Sequence, residues 1–339
     1  MAAMAHEASL WKPAPRGGVE CFLCAHRCRV APGKRGICRV RQNVGGRLVT
    51  LVYGRVIARH VDPIEKKPLF HFLPGSRAYS IATVGCNFQC GFCQNWQISQ
   101  WPRSSEAEMP GDTATPEQIV AAARRYDCAS ISYTYTEPTI FFEYARDTAR
   151  LARAAGLKNT FVTNGFMTPE ALEEAADWLD AANVDLKAWQ DDFYRRICKA
   201  CIEPVKESIR KMHEMGVRVE VTTLLVPGKN TDPDDLAGIA AFVASVSPEI
   251  PWHVSRYHPD FEVRDPPPTP TSTIEQAIEI GRREGLQFVY AGNIRGMQDT
   301  VCPSCGATVI ARQGMGVSAM NLRGSACAEC GADLPIVVE

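Results

Sequence analysis

Apolar, β-rich segments near residues 79–85, 128–134, 158–163, 182–187, 217–225 and 251–257 alternate with helical patterns near 116–125, 139–155, 169–179, 203–215 and 233–246. Strands that alternate with helices build a parallel sheet with the helices packed outside it. Helix starts are marked by Thr115-Pro116, Thr168-Pro169 and Asp232-Pro233, each an N-cap side chain followed by a proline tolerated at the first helical position. The repeat reaches six βα units. That fits a partial (β/α)6 TIM-like barrel, an α/β fold, better than a closed barrel of eight, and in such barrels chemistry gathers at the C-terminal ends of the strands. A proline-rich stretch at 265–270 breaks the rhythm, and residues 273–284 and 286–291 then read as a helix and a strand covering the barrel edge.

A chain of 339 residues exceeds the usual single-core size, so smaller appendages beside one large domain are expected. The net charge of -1, without a long basic run, gives no electrostatic reason to bind nucleic acid or an anionic membrane. No apolar run approaches eighteen residues, so no membrane span is expected. The fourteen cysteines fall in CxxC-like clusters, and no signal-peptide pattern begins the chain. They read as reduced metal ligands in the cytoplasm.

Three clusters carry the chemistry. Cys86, Cys90 and Cys93 follow the first apolar run, so their thiols emerge at its C-terminal end. Soft thiolates select Fe-S clusters, zinc or Cu(I). A 4Fe-4S cubane held by this compact triplet would keep one iron without a protein ligand; zinc, or a structural site shared with another cysteine, is the plainer alternative. Cys21, Cys24, Cys28 and Cys38 have the ligand count of structural zinc or of a second Fe-S cluster, and softness does not decide between them. Cys302, Cys305, Cys327 and Cys330 form two CxxCG knuckles, a zinc-ribbon-like signature, with a rubredoxin-like iron site as the alternative. Cys128 reads as core, and Cys198 and Cys201 form no complete site by themselves.

The CxxxCxxC spacing, with Phe92 before its third cysteine, resembles the radical S-adenosylmethionine (SAM) enzymes. The resemblance implies that SAM chelates the open iron, and that an electron from the cluster, supplied by a reductant such as flavodoxin or ferredoxin, breaks the sulfur to C5' bond. The 5'-deoxyadenosyl radical then abstracts hydrogen from a substrate. Thr136-Glu137-Pro138 resembles the Gly-Gly-Glu-Pro motif that binds the SAM amino group, with Tyr135 and Thr136 in place of the glycines. Asn164, at the end of the third strand, and Asp185 with Lys187, at the end of the fourth, lie in segments similar to those of pyruvate formate-lyase activating enzymes. Asp185 and Lys187 share strand parity and can both face the interior. Val162 stands where those activases have an aspartate, which removes one hard ligand of a monovalent cation site. His253, Arg256 and His258, on the sixth strand and just beyond it, are candidates for SAM or substrate contacts.

From about residue 20 onward the pattern resembles the AmmeMemoRadiSam system radical SAM proteins, which implies Memo-like and AMMECR-like partners. The expected organisation is a flexible arm at 1–20, a Cys-rich module at 21–75, the barrel at 76–295 and a zinc-ribbon-like module at 296–339. Two activities fit: a radical enzyme acting on a small molecule, and an activase that makes a glycyl radical on a partner protein. One barrel serves many reactions, so the resemblance does not name the substrate.

Overall fold

A computed structural model of the chain describes residues 6–105 and 107–339. The central sheet has eight strands: β1 (Ala58–Pro63), β2 (Arg77–Ala82), β3 (Ser130–Tyr133), β4 (Lys158–Thr163), β5 (Ala181–Asp185), β6 (Arg218–Leu225), β7 (Trp252–Arg256) and β8 (Val289–Gly292). They lie side by side in sequence order. Strands β2 to β8 are parallel, whereas β1 runs antiparallel along β2, with Ala58 opposite Ala82 and Pro63 opposite Arg77. The two end strands do not pair, so the sheet is open.

The outer helices are α1 (Pro116–Arg125), α2 (Phe142–Ala154), α3 (Pro169–Ala175), α4 (Glu203–Glu214), α5 (Pro233–Val246) and α6 (Thr271–Arg283). The capping expected from sequence is present: Thr115, Thr168 and Asp232 accept the backbone N–H groups of Gln118, Ala171 and Asp234. In α1 the buried residues Pro116, Ile119, Val120 and Ala123 recur at helical spacing and face the sheet. Fully buried Tyr133, Phe161, Trp178 and Trp252 fill the space between layers.

Three expectations change. The parallel repeat runs to seven strands, because residues 289–292 pair with β7 and continue the sheet. Residues 58–63, placed by the expected bounds in the N-terminal module, join the main sheet, while Arg41–Val44 and Arg47–Thr50 form a hairpin within that module. The arm is not loose from residue 6 onward: His6–Glu7 pairs with Thr50 and Val49, and Trp11–Ala14 pairs with Gly18–Cys21. Residues 1–5 of that arm lie outside the described residues.

The two appendages occupy opposite ends of the sheet. Near the strand starts, Tyr290 bonds Thr300 (2.9 Å) and His71 (2.7 Å), Arg312 donates to the Phe70 carbonyl (2.8 Å), and Phe72 bridges to Val337. The C-terminal module is therefore docked away from the Cys86 loop and does not form a lid over it. The N-terminal module sits at the strand ends, where Ala25 N donates to Phe166 O (3.2 Å) and Thr168 Oγ1 donates to Phe22 O (2.7 Å).

Candidate functional site

The Cys86 loop leaves β2 through Gly85, whose φ of +105° lies in the region favouring glycine. A Cβ there would stand 2.8 Å from Val40 Cγ1 and 3.4 Å from the Cys38 carbonyl, so the loop packs directly on the N-terminal module. Its far side is held by Gln89 N and Gly91 N, which donate to the carbonyls of Cys198 (2.9 Å) and Ile197 (3.3 Å). Gly91 O accepts Glu262 N and Val263 N, both at 2.9 Å, and Trp96 stacks on Phe261. The segment after β7 thus covers one flank of the loop.

Burial is the largest effect on Cys86, and with the nearby Glu137 carboxylate and the other thiols it pushes this thiol well above its ordinary range. Cys90 is raised too, first by its contact with the Cys198 thiol and then by burial. Cys93 is raised by burial, with Ser99 Oγ 3.3 Å away working against it. Thiols raised in this way are poor anions unless a cation lies beside them, and a bound iron cluster would supply that positive charge. Tetrahedral bonds of about 2.3 Å to a single ion place sulfurs about 3.8 Å apart, but among the described residues these three do not lie within 4.8 Å of one another.

Glu137 is buried and forms a hub. Its Oε1 accepts Thr139 N (3.0 Å), Thr139 Oγ1 (2.6 Å) and Thr163 Oγ1 (2.7 Å), and its Oε2 accepts Asn164 N (2.8 Å). Burial raises its pKa, and these bonds act against the rise. Asn164 passes the link onward through Nδ2, which donates to Asn87 Oδ1 (2.7 Å) and lies 3.8 Å from Cys86 Sγ. Thr136 Oγ1 donates to the Thr83 carbonyl (2.8 Å), which joins the ends of β3 and β2 directly. Tyr135, replacing a glycine of the motif, takes the left-handed φ of +62°. It is fixed there by its hydroxyl on Asp62, by Lys67 Nζ 4.4 Å from its ring centre, and by Asn95 Nδ2 donating to its carbonyl (2.8 Å).

Lys187 and Asp185 pair at 2.8 Å, and the Lys187 ammonium lies 5.8 Å from the Phe92 ring centre. Burial opposes the Lys187 charge, but Asp185, Cys90 and Cys198 outweigh it and raise its pKa. His258 reaches the same loop through Gln94 (3.1 Å). Arg256 Nε donates to the carbonyl of Thr269 (2.9 Å), whose hydroxyl donates to the Leu225 carbonyl at the end of β6 (2.6 Å). His253 is removed from the Cys86 loop: it is buried on Glu220 (2.6 Å), which also accepts the backbone N–H groups of Phe70 and His71. Sequence reasoning did not connect Cys198 with Cys90. No spacing signals that contact, which arises because the helical turn Tyr194–Cys198 folds back under the loop.

In the C-terminal module, Cys302 and Cys330 sulfurs lie 3.7 Å apart and those of Cys305 and Cys327 3.8 Å apart. All four lie within 4.8 Å of one another. This matches the spacing around one tetrahedral ion. Burial alone would raise the Cys302 thiol, but the backbone at Cys305 and Ser304 and the neighbouring thiols bring it down to about 7.

An open parallel sheet with a three-cysteine loop at the end of its first parallel strand defines the class. Residues 80–243 match the Radical SAM superfamily, and the chain belongs to it as a radical SAM enzyme. An uncharacterised protein of Methanocaldococcus jannaschii is 43% identical over 98% of this chain and 99% of its own length. The pyruvate formate-lyase 1-activating enzyme of Escherichia coli K12 is 22% identical over 51% of this chain and 71% of its own. A radical SAM methyltransferase from Sphaerobacter thermophilus shares the fold, with a TM-score of 0.53 and 18% identity over 69% of this chain and 70% of that one. Among the described residues no helix is long and apolar enough to cross a membrane.

Proposed function

We propose that this protein holds a 4Fe-4S cluster on Cys86, Cys90 and Cys93, binds SAM beside it, and directs the resulting radical at a small molecule. The carrying observation is the hydrogen-bonded chain from Glu137 through Asn164 to Asn87 and Cys86, which ties the ends of β3 and β4 to the loop that leaves β2. The reduced cluster, when bound, supplies the electron that splits SAM into methionine and a 5'-deoxyadenosyl radical. The residues of the chain do the rest. Asn164 fixes the Cys86 side of the loop, and Glu137 holds Asn164 while its Oε2 keeps acceptor capacity for the SAM ammonium. Phe92, buried, and Trp96 with Phe261 keep water from the loop. Lys187 and Asp185 give a charged pair for a polar group of SAM or substrate, and His258 and Thr136 brace the loop and the motif. Arg256 belongs to this rim by its place at the end of β7, as a contact for substrate.

Zinc suits the four C-terminal thiolates, which fill a tetrahedron and leave no position for substrate. Memo-like and AMMECR-like proteins are the partners that the sequence pattern suggests, with a low-potential carrier as reductant. The similarity to a pyruvate formate-lyase activating enzyme favours a second reading, glycyl-radical formation on a protein. That similarity spans only about half of this chain, whereas the methanogen protein matches nearly all of it. The test is to run SAM cleavage with deuterated candidate small molecules. Deuterium appearing in 5'-deoxyadenosine supports the proposal. Label arriving only from a deuterated glycine in a partner protein would replace it with the activase reading.

A further inference from the structure

Softness does not separate zinc from an iron-sulfur cluster at Cys21, Cys24, Cys28 and Cys38, but geometry does. These thiols line one small cavity together with Leu23, His26 and Arg41. Among the described residues no three of them come within 4.8 Å of one another, in contrast to the C-terminal four. One ion would draw its sulfurs to about 3.8 Å. Thiols spread around a shared cavity fit a polynuclear cluster, in which each sulfur binds a different iron.

Arg41 gives an independent indication of a ligand. It is 2% exposed and lines the cavity; one amino group donates to Cys21 Sγ (3.0 Å), and the other to Ser9 O (3.1 Å) and Glu143. Its Nε has no protein partner. A buried N–H without an acceptor costs free energy, and the sulfide of a cluster is an acceptor. Hydrogen bonds to cluster sulfur also tune its potential.

The cavity adjoins the Cys86 loop. Arg103 donates both to Ile37 O and to Cys86 O, each at 3.0 Å, and His26 Nε2 lies 2.9 Å from Asn87 O. Two hydrogen bonds through one guanidinium therefore join the residue before Cys38 to Cys86 itself. On the outer side, residues 27–39 carry Arg27, Arg29, Lys34, Arg35 and Arg39, of which Arg27 pairs with Glu170 (2.8 Å) and Arg29 with Glu20 (4.0 Å), so the surface keeps a net positive charge. Such a surface suits an acidic electron-carrier protein.

We propose that Cys21, Cys24, Cys28 and Cys38 hold a second 4Fe-4S cluster, which relays single electrons to the cluster of the Cys86 loop. The relay rests on the proposed SAM cleavage. A low-potential carrier protein loses one electron to the N-terminal cluster. That cluster returns to its oxidised form as it reduces the one on the Cys86 loop, and the electron ends in the bond cleavage of SAM.

The full chain, reconstituted anaerobically with iron and sulfide, should hold about eight iron and eight sulfide per chain beside one zinc, two cubanes and a knuckle site. About four iron with two zinc would overturn the assignment. The triple variant Cys86→Ala, Cys90→Ala, Cys93→Ala should keep about four iron and the electron paramagnetic resonance signal of one reduced cluster; loss of all iron and of that signal would overturn it. These counts do not depend on SAM cleavage, so they separate this proposal from the functional one. For the relay, Cys28→Ser/Cys38→Ser should still form 5'-deoxyadenosine with dithionite but slow about tenfold or more with reduced flavodoxin. Equal rates with both reductants would overturn the relay. If that variant misfolds, freeze-quenched wild-type protein mixed with reduced flavodoxin decides: the N-terminal signal should appear first, and simultaneous or reverse order contradicts the relay.

Discussion

Glu137 accepts four protein hydrogen bonds and lies one residue away from Cys86 through Asn164, so its removal has two effects. Glu137→Ala should lower stability by about 1–3 kcal/mol, because buried N–H and O–H donors lose their acceptor. It should also weaken SAM binding by about one to two decades, the usual worth of a charge-assisted contact. Thermal unfolding and SAM titration check both. A drop in stability with unchanged SAM affinity would make Glu137 a clamp only, and the reverse would make it a ligand only. Cys198 sits against Cys90. Because hydrogen bonds to ligand sulfur raise the potential of a cluster, Cys198→Ala should lower the potential of the Cys86-loop cluster in a redox titration, with its iron content unchanged. An unmoved potential would show that Cys198 only fills space.

Cys86, Cys90, Cys93 and the terminal knuckles are local spacings and were readable as such. Glu137 was readable from its proline neighbour, but its partners Thr163 and Asn164 come from another strand, so its role as a hub was not. His253 looked equivalent to His258 in sequence, yet strand register sets it opposite Thr222, two residues along β6 from Glu220, and its ring reaches back to that carboxylate as a buried pair.

Among the elements, the C-terminal module and the sheet share a seam of titrating groups. His71 lies there with Glu220, His253, Tyr290 and Arg312 around it. Burial holds the His71 imidazole down to about 3. The unfolded chain takes up that proton near its ordinary pKa of about 6.5, so stability falls as pH drops from there toward 3. Burial acts to raise the Glu220 pKa, but His253 and His71 outweigh it and hold the carboxylate below its ordinary range; its contribution too is lost as pH falls through its folded value. With the intrinsic pH dependence divided out, protection from hydrogen exchange along 300–337 should therefore fall between pH 7.5 and 5, and His71→Gln should flatten that response. An exchange rate that follows only the intrinsic pH dependence would show that the seam does not open.

The metal of that module is testable separately. Cys327→Ser should lose zinc and become protease-sensitive after about residue 295, since metal binding and folding are linked in small modules. SAM cleavage should persist, because the module docks at the strand starts and not over the Cys86 loop. Iron at this site in elemental analysis would contradict the zinc assignment. At this scale the helix starts were legible through their N-cap and proline pairs. The seventh parallel strand and the antiparallel β1 were not. Both lie at edges of the repeat, where no following helix marks a strand and pairing depends on tertiary contact alone.

For the whole molecule, the arrangement is asymmetric: two cysteine sites meet at the C-terminal ends of the strands and a third lies near their starts. The similarity to the methanogen protein runs over 98% of this chain, and so extends beyond the sheet into both terminal regions. The proposed function stands on the three thiols of the Cys86 loop holding the cluster that cleaves SAM. It is tested most directly by reconstituting wild type and the single variants Cys86→Ala, Cys90→Ala and Cys93→Ala without oxygen, adding SAM and dithionite, and measuring 5'-deoxyadenosine. Wild type should form it and each variant should not, while the folded state persists by circular dichroism; formation at the wild-type rate by any of the three would contradict the claim.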